Sequence, residues 1–184
     1  MKDTSPLQGP QTHWFAIKTH HDFRAEHILR DYCEDVFFPV QSIKTQGAKL
    51  RVKPVIPHVL FIKTTAENAL ALEQDARKNI PGLVPFWIYR YPNDSEIQII
   101  SENSIELLRL LTADDTAECQ IYNGDIFKER QRVRITDGIY KGYEGVVQRI
   151  KKNKHVIVRI EGVCMVILPF IHPDLLAPLS DSDS

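Results

Sequence analysis

Residues 18–24, Lys-Thr-His-His-Asp-Phe-Arg, gather two cations, two imidazoles and a carboxylate into one short stretch. Three chemistries are open to such a group: proton transfer, metal ligation and phosphate binding. His20-His21 is the only adjacent histidine pair in the chain and Asp22 follows it; by itself this arrangement reads as a surface loop rather than a metal site. Arg24 can grip a phosphate with both guanidinium arms or stack on a base. Nothing elsewhere completes a catalytic set. There is no Cys–His or Ser–His–Asp pattern with a nucleophile turn, no Walker loop and no H-E-x-x-H. Cys33, Cys119 and Cys164 are widely spaced with no C-x-x-C pair, which fits reduced thiols in a cytoplasmic protein and argues against zinc. The expectation is a binding protein, not an enzyme, with no metal and no cofactor.

The net charge of −1 conceals an uneven distribution. Residues 12 to 111 are balanced, with 12 Lys plus Arg against 12 Asp plus Glu, whereas Lys128 to Lys154 holds nine basic residues and three acidic ones. A second stretch, between Asp35 and Glu67, has no acid but carries Lys44, Lys49, Arg51, Lys53 and Lys63. Both fit either a solvated face or a weak phosphate-backbone contact.

A chain of 184 residues has room for one ordinary domain or two small ones. With 43% hydrophobic and 26% charged residues, its composition is that of a soluble globular protein. No apolar run approaches the ~20 residues that span a bilayer, and the opening MKDTSPLQGPQTH lacks the apolar core of a signal peptide.

The elements that must position these groups follow from periodicity. HWFAIKT reads as a strand and residues 23 to 33 as a helix. VFFPVQSI (36–43) reads as a strand that Pro39 confines to an edge or bulge. A hairpin tip at 45–48 leads into one long strand, KLRVKPVIPHVLFIKT. Residues 67 to 78 are helical, IPGLVPFWIYRYP turns at Pro81-Gly82 into an aromatic strand, and Ser101 caps a helix burying Ile105, Leu108 and Leu111. Thr112 to Asn123 reads as a linker. Beyond it, RVRIT, GVVQRI, HVIVRI and CMVILPF predict a small all-β unit of about five strands. Gly138, Gly142 and Gly145 lie among these runs, where positive φ or a bulge would bend a small sheet. The fold class is α+β. An antiparallel sheet with helices fills residues 12–111, a linker 112–123 and a five-stranded β-barrel 124–179, with disordered tails at 1–11 and 180–184.

The run G-D-x-F-x-x-x-x-x-V-R-I-T-D-G-x-Y-x-G-Y-E-G-V-V, starting at Gly124, resembles the KOW motif of NusG-type transcription elongation factors. The remaining segments resemble that family in order. HWFAIKT is similar to the opening W-Y-x-V strand, VIPHVLFIK to the F-P-G-Y-V-F-V strand, NIPGLVPFW to the T-P-G-V-x-x-F segment and ISENSIELL to the P-I-S-D-E-E-V-x-x-L helix. Ile56-Pro57-His58-Val59 stands where the family usually has F-P-G-Y, losing two aromatics and a glycine. In this the chain is most similar to the specialised UpxY-like paralogues, antiterminators of capsular polysaccharide operons.

The resemblance implies an N-terminal NGN domain, an SH3-like KOW barrel and a monomer in the cytoplasm. It implies docking on the clamp helices of the largest catalytic subunit of bacterial RNA polymerase, through an apolar depression. Trp14, Ile56, Pro57, Val59, Phe61 and Phe86 are the candidates, Val59 and Phe61 sharing strand parity. Phe15, Ile17, Leu60 and Ile62, of opposite parity, are expected in the core. Lys18, His20, His21 and Arg24 are implied as an edge for the non-template DNA strand, joined by the hairpin cations Lys49, Arg51 and Lys53. Ile139, Tyr140 and Phe170 are implied as the KOW surface for ribosomal protein S10 or the termination factor Rho. The rival expectations are a general NusG-like factor acting on all genes and a ribosome- or RNA-binding KOW protein.

Overall fold

The computed structural model describes residues 10–44, 50–78, 82–113, 118–124 and 131–180. In chain order the elements are β1 (Thr12–Lys18), α1 (Asp22–Leu29), β2 (Asp35–Phe37), β3 (Val40–Lys44), β4 (Leu50–Pro54), β5 (Val59–Thr65), α2 (Ala66–Arg77), β6 (Trp87–Ile88), β7 (Ile99–Ile100), α3 (Glu102–Ala113), β8 (Gln120–Ile121), β9 (Arg132–Ile135), β10 (Glu144–Ile150), β11 (Asn153–Ile160), β12 (Cys164–Ile167) and β13 (Leu176–Pro178). A single 3₁₀ turn, Pro173–Leu175, precedes β13.

Prolines account for two differences from the sequence expectation. The strand expected over 36–43 breaks into β2 and β3 around Pro39, and the long strand expected from Lys49 breaks between Pro54 and Val59. Proline donates no ladder hydrogen bond and restricts the residue before it. The chain turns at both points, held by a hydrogen bond from the Val55 N–H to the Pro39 carbonyl (2.8 Å).

Two compact units result, and their limits differ from the expected boundaries. The first takes residues up to Phe38 with His58–Ser101; the second takes Pro39–Pro57 with residues from Glu102 onward. The β3–β4 hairpin and α3 thus group with the C-terminal strands. Within that second unit α3 packs on β3, and Ser104 Oγ donates to Glu161 Oε2 at 2.7 Å.

In the first unit the antiparallel order is β2-β5-β1-β6, with β7 also on β1. The β1–β5 register runs from Thr12↔Thr65 to Lys18↔Val59. β1 buries Trp14, Phe15, Ala16 and Ile17 in succession, and β5 buries Val59 through Ile62. Strands buried on both faces carry continuous apolar runs rather than alternation. α1 and α2 pack on β5 through Ala25, Leu29, Ala69, Leu72 and Ala76, all buried. Thr65 caps α2, its side chain accepting from the Asn68 N–H at 3.2 Å.

The second unit holds the β3–β4 pair and an antiparallel sheet ordered β13-β9-β10-β11-β12-β8. Six strands replace the expected five, because Gln120–Ile121, read as linker, pairs with Val166 and Ile167. Gly138 and Gly142 adopt positive φ (84° and 90°), as turn residues should. Gly145 does not. A Cβ there would lie 2.5 Å from the Ile157 carbonyl oxygen and 2.7 Å from Val156 Cγ1, so its role is close approach between strands.

Candidate nucleic-acid interface

The C-terminal end of β1 is the centre of the first candidate site. Lys18, its last residue, is exposed and lies in register with Val59 on one side and Trp87 on the other. Directly paired residues share a face, so the Lys18 ammonium and the Trp87 indole emerge side by side. Trp87 is 44% exposed. Its neighbour Ile88 is buried and tied to α2: the Ile88 N–H donates to Glu73 Oε1 at 2.9 Å. Arg90 braces the same carboxylate, Nη2 to Oε2 at 2.7 Å, and also donates to the Ile88 carbonyl. Burial would raise the Glu73 carboxyl, but the hydrogen bonds from Arg90 and Ile88 and the charges of Arg90 and Arg77 outweigh it and hold the group below its ordinary value.

Beyond Lys18 the chain turns at Thr19, which is fully buried. Its hydroxyl donates to the Pro85 carbonyl (2.9 Å) and accepts from the His21 N–H (3.2 Å), while its own N–H donates to the His58 carbonyl (3.0 Å). This anchor presents His20 and His21 outward. Asp22, the first residue of α1, accepts from the His58 N–H and faces His58 Nδ1, both at 3.2 Å. His20 packs edge-on against His58, ring centres 5.1 Å apart. His58 has φ 66°, a left-handed conformation that favours glycine. That is the position where the resembled motif carries glycine, and Asp22 secures the strained backbone here.

Lys18, His20, His21 and Arg24 are all exposed. The structure adds Trp87 beside Lys18 and His58 beside His20, which the sequence reading did not include. Only the β1–β6 register reveals Trp87; the aromatic spacing in PFWIYRY carries no such signal. Among the described residues no metal-binding cluster forms. Burial pushes the Cys33 and Cys119 thiols up to about 11 and Cys164 to about 12, so these thiols stay protonated. Arg51 and Lys53 stand on β4 in the other unit, where Lys53 pairs with Glu118 at 3.0 Å. Lys49 lies outside the described residues.

The expected apolar docking face requires correction. Trp14, Val59 and Phe61 do share a face, since Trp14 pairs Lys63, Ala16 pairs Phe61 and Lys18 pairs Val59. That face is covered. Trp14, Ile56, Val59, Phe61 and Phe86 are at most 6% exposed, and Phe37 stacks on Phe61 at 6.1 Å. Pro57 alone of the six is exposed. Phe15, Ile17, Leu60 and Ile62 are fully buried, as parity predicted. In the second unit Ile139 and Phe170 are exposed (72% and 67%), but Tyr140 is buried at 5% and lines a partly open cavity with Leu111, His155 and Leu168.

Comparison with known proteins is narrow. Residues 129–161 match the KOW motif. No curated protein matches the chain. A solved structure of the MjSpt4:Spt5 complex in conformation B resembles it at 16% identity, over 91% of this chain and 97% of that chain, with a TM-score of 0.27. At that score the likeness decides nothing about the fold. No helix among the described residues is long and apolar enough to cross a membrane.

Proposed function

We propose that the protein is a NusG-type transcription elongation factor of the specialised, antiterminating kind. It would associate with RNA polymerase and promote processive transcription of a long operon such as one for capsular polysaccharide. The observation carrying this reading is the KOW match at 129–161, within the 124–179 region where the sequence resemblance places that domain. The end of β1 supports it. Lys18 and Arg24 supply phosphate contacts, Trp87 a stacking surface and His20 and His21 polar edges, the chemistry that a displaced single strand requires. A net charge of −1 disfavours tight unassisted binding to DNA, so affinity in this reading comes from polymerase. The second unit would recruit a further partner, ribosomal protein S10 or Rho, through Ile139 and Phe170.

A genome-wide crosslinking map of the protein beside polymerase in its native host tests the proposal. Enrichment on one or a few long operons is expected. Signal following polymerase over all genes would replace the specialised role with a general one. No enrichment on transcribed DNA would overturn the transcription role and leave a ribosome- or RNA-binding KOW protein.

A further inference from the structure

The order β13-β9-β10-β11-β12-β8 leaves β8 at one rim of the second unit's sheet, and the register shows which of its backbone groups face outward. The Tyr122 N–H donates to the Met165 carbonyl at 2.8 Å. Along an antiparallel pair, residues that exchange hydrogen bonds alternate with residues that do not. Tyr122 occupies a bonding position, so Ile121, paired with Val166, occupies a non-bonding one. Its N–H and C=O point away from β12. Cys119 has the same parity and shows the same direction, since its N–H donates to Gln41 Oε1 at 2.9 Å. The Gln41 amide, carried on β3, thus closes this edge at Cys119. Two residues on, Ile121 has no such partner among the described residues.

Sheet edges are commonly protected by a charge, a proline or a bulge. Cys119 to Asn123 carries neither charge nor proline. The edge opens instead onto a groove of about 720 Å³, within the range of ligand-binding clefts. Its described lining belongs throughout to the second unit. Ile56, Pro57, Ile121, Val163 and Met165 make it largely apolar, and it holds one cation, Arg159. Arg159 is exposed and in register with Met165, with no ion pair among the described residues. Outward backbone groups, an apolar cleft and an unmatched cation therefore coincide.

We propose that β8 accepts an extended, apolar peptide segment of a partner protein as an added strand. The peptide backbone bonds to the N–H and C=O of Ile121, alternate side chains enter the groove and a carboxylate meets Arg159. Each feature selects that occupant. Main-chain pairing requires an extended backbone, the cleft takes every second side chain, and the lone cation favours an acidic partner. A second copy of this chain, pairing β8 with β8, would offer Arg159 only Glu118, which is already held by Lys53 at 3.0 Å. The site involves neither Ile139 nor Phe170 and does not rest on the proposed transcription role.

The test is an NMR titration of the full chain, labelled with nitrogen-15, against a synthetic peptide of about eight residues. The peptide alternates valine and threonine and carries one aspartate. Three further arms replace that aspartate with lysine, or methylate every second backbone nitrogen in one phase or the other. The Ile121 amide should shift with the parent peptide. Methylation should weaken binding about tenfold or more in one phase only, because only one set of N–H groups faces β8. Arg159→Gln should reduce the preference for aspartate over lysine by roughly two- to fivefold. Ile121→Pro should abolish the pairing, since proline is tolerated on an edge strand whose N–H faces outward. An unmoved Ile121 amide, or equal effects of methylation in both phases, would overturn the proposal. So would an Ile121 shift that follows protein concentration alone, which would assign the edge to a second copy, or one produced by a single-stranded oligonucleotide in place of the peptide. If Ile121→Pro does not fold, the methylated arms decide the matter on the unsubstituted chain.

Discussion

The two cationic surfaces are assembled in opposite ways. At the end of β1, Lys18, His58 and Trp87 come from three remote segments and meet only because β1 sits between β5 and β6. Two buried groups and one half-buried carboxylate then fix the arrangement: Thr19 under the turn and Glu73 behind Ile88, with Asp22 against His58. On the β10–β11 hairpin the cations Arg149, Lys151, Lys152 and Lys154 are sequence neighbours, presented by one local ladder. The first surface is therefore hostage to the packing of the whole first unit, whereas the second depends on a single strand pair. Disturbing the core should silence one and spare the charge pattern of the other.

The largest expected effect comes from Phe61→Asp. Phe61 is fully buried against Phe37, so an unpaired carboxylate there should cost more than about 4 kcal/mol. Loss of the cooperative unfolding transition in urea checks this; a stable protein that has merely lost polymerase would restore the docking face expected from the sequence. Glu73→Ala comes next, at about 1.5–3 kcal/mol, because Arg90 and the Ile88 N–H lose a charged acceptor. It should also loosen Trp87, seen as a shift in tryptophan fluorescence. Since the folded carboxyl lies below its ordinary 4.5, its contribution is present above that pH and is lost as pH falls through the folded value. Glu73→Gln should accordingly flatten the acid limb of a stability–pH profile.

Gly145→Ala probes the other side of the comparison. Its Cβ would press on the Ile157 backbone, for a cost of about 1–3 kcal/mol in the urea midpoint. Lys18→Ala should do least to stability, within about 0.5 kcal/mol, while weakening nucleic-acid binding in filter or anisotropy assays. If Lys18→Ala destabilised the fold as much as Glu73→Ala, the residue would be structural and the surface misassigned.

These contrasts also explain how much was legible beforehand. Strand parity correctly grouped Val59 with Phe61, and Phe15 with Ile17, because alternation is a property of the backbone; that Trp14 shares the face of Val59 and Phe61 needed the β1–β5 register. Exposure was not legible. Whether a second face is covered depends on what packs against it, and the apolar run WFAI fits either case. The helix at 67–78 was legible from composition and the one at 101–111 from spacing and its cap. Pro39, Pro54 and Pro57 announced interruptions, but not that the intervening hairpin would group with the distant C-terminal strands. The charge run of the second unit was plain, whereas the face-to-face Arg149 and Lys154 needed the register. Trp87 was invisible for the same reason: its meaning lies in the residue across from it.

The central claim is that the Lys18–Trp87 end of the first unit meets a single nucleic-acid strand during transcription. Reconstituted elongation complexes carrying 5-iodouracil along the non-template strand test it directly. The account predicts photo-crosslinks to the peptides containing Lys18–Arg24 and Trp87, weakened by Trp87→Ala while polymerase association persists. Stable association with no crosslink to those peptides would contradict it.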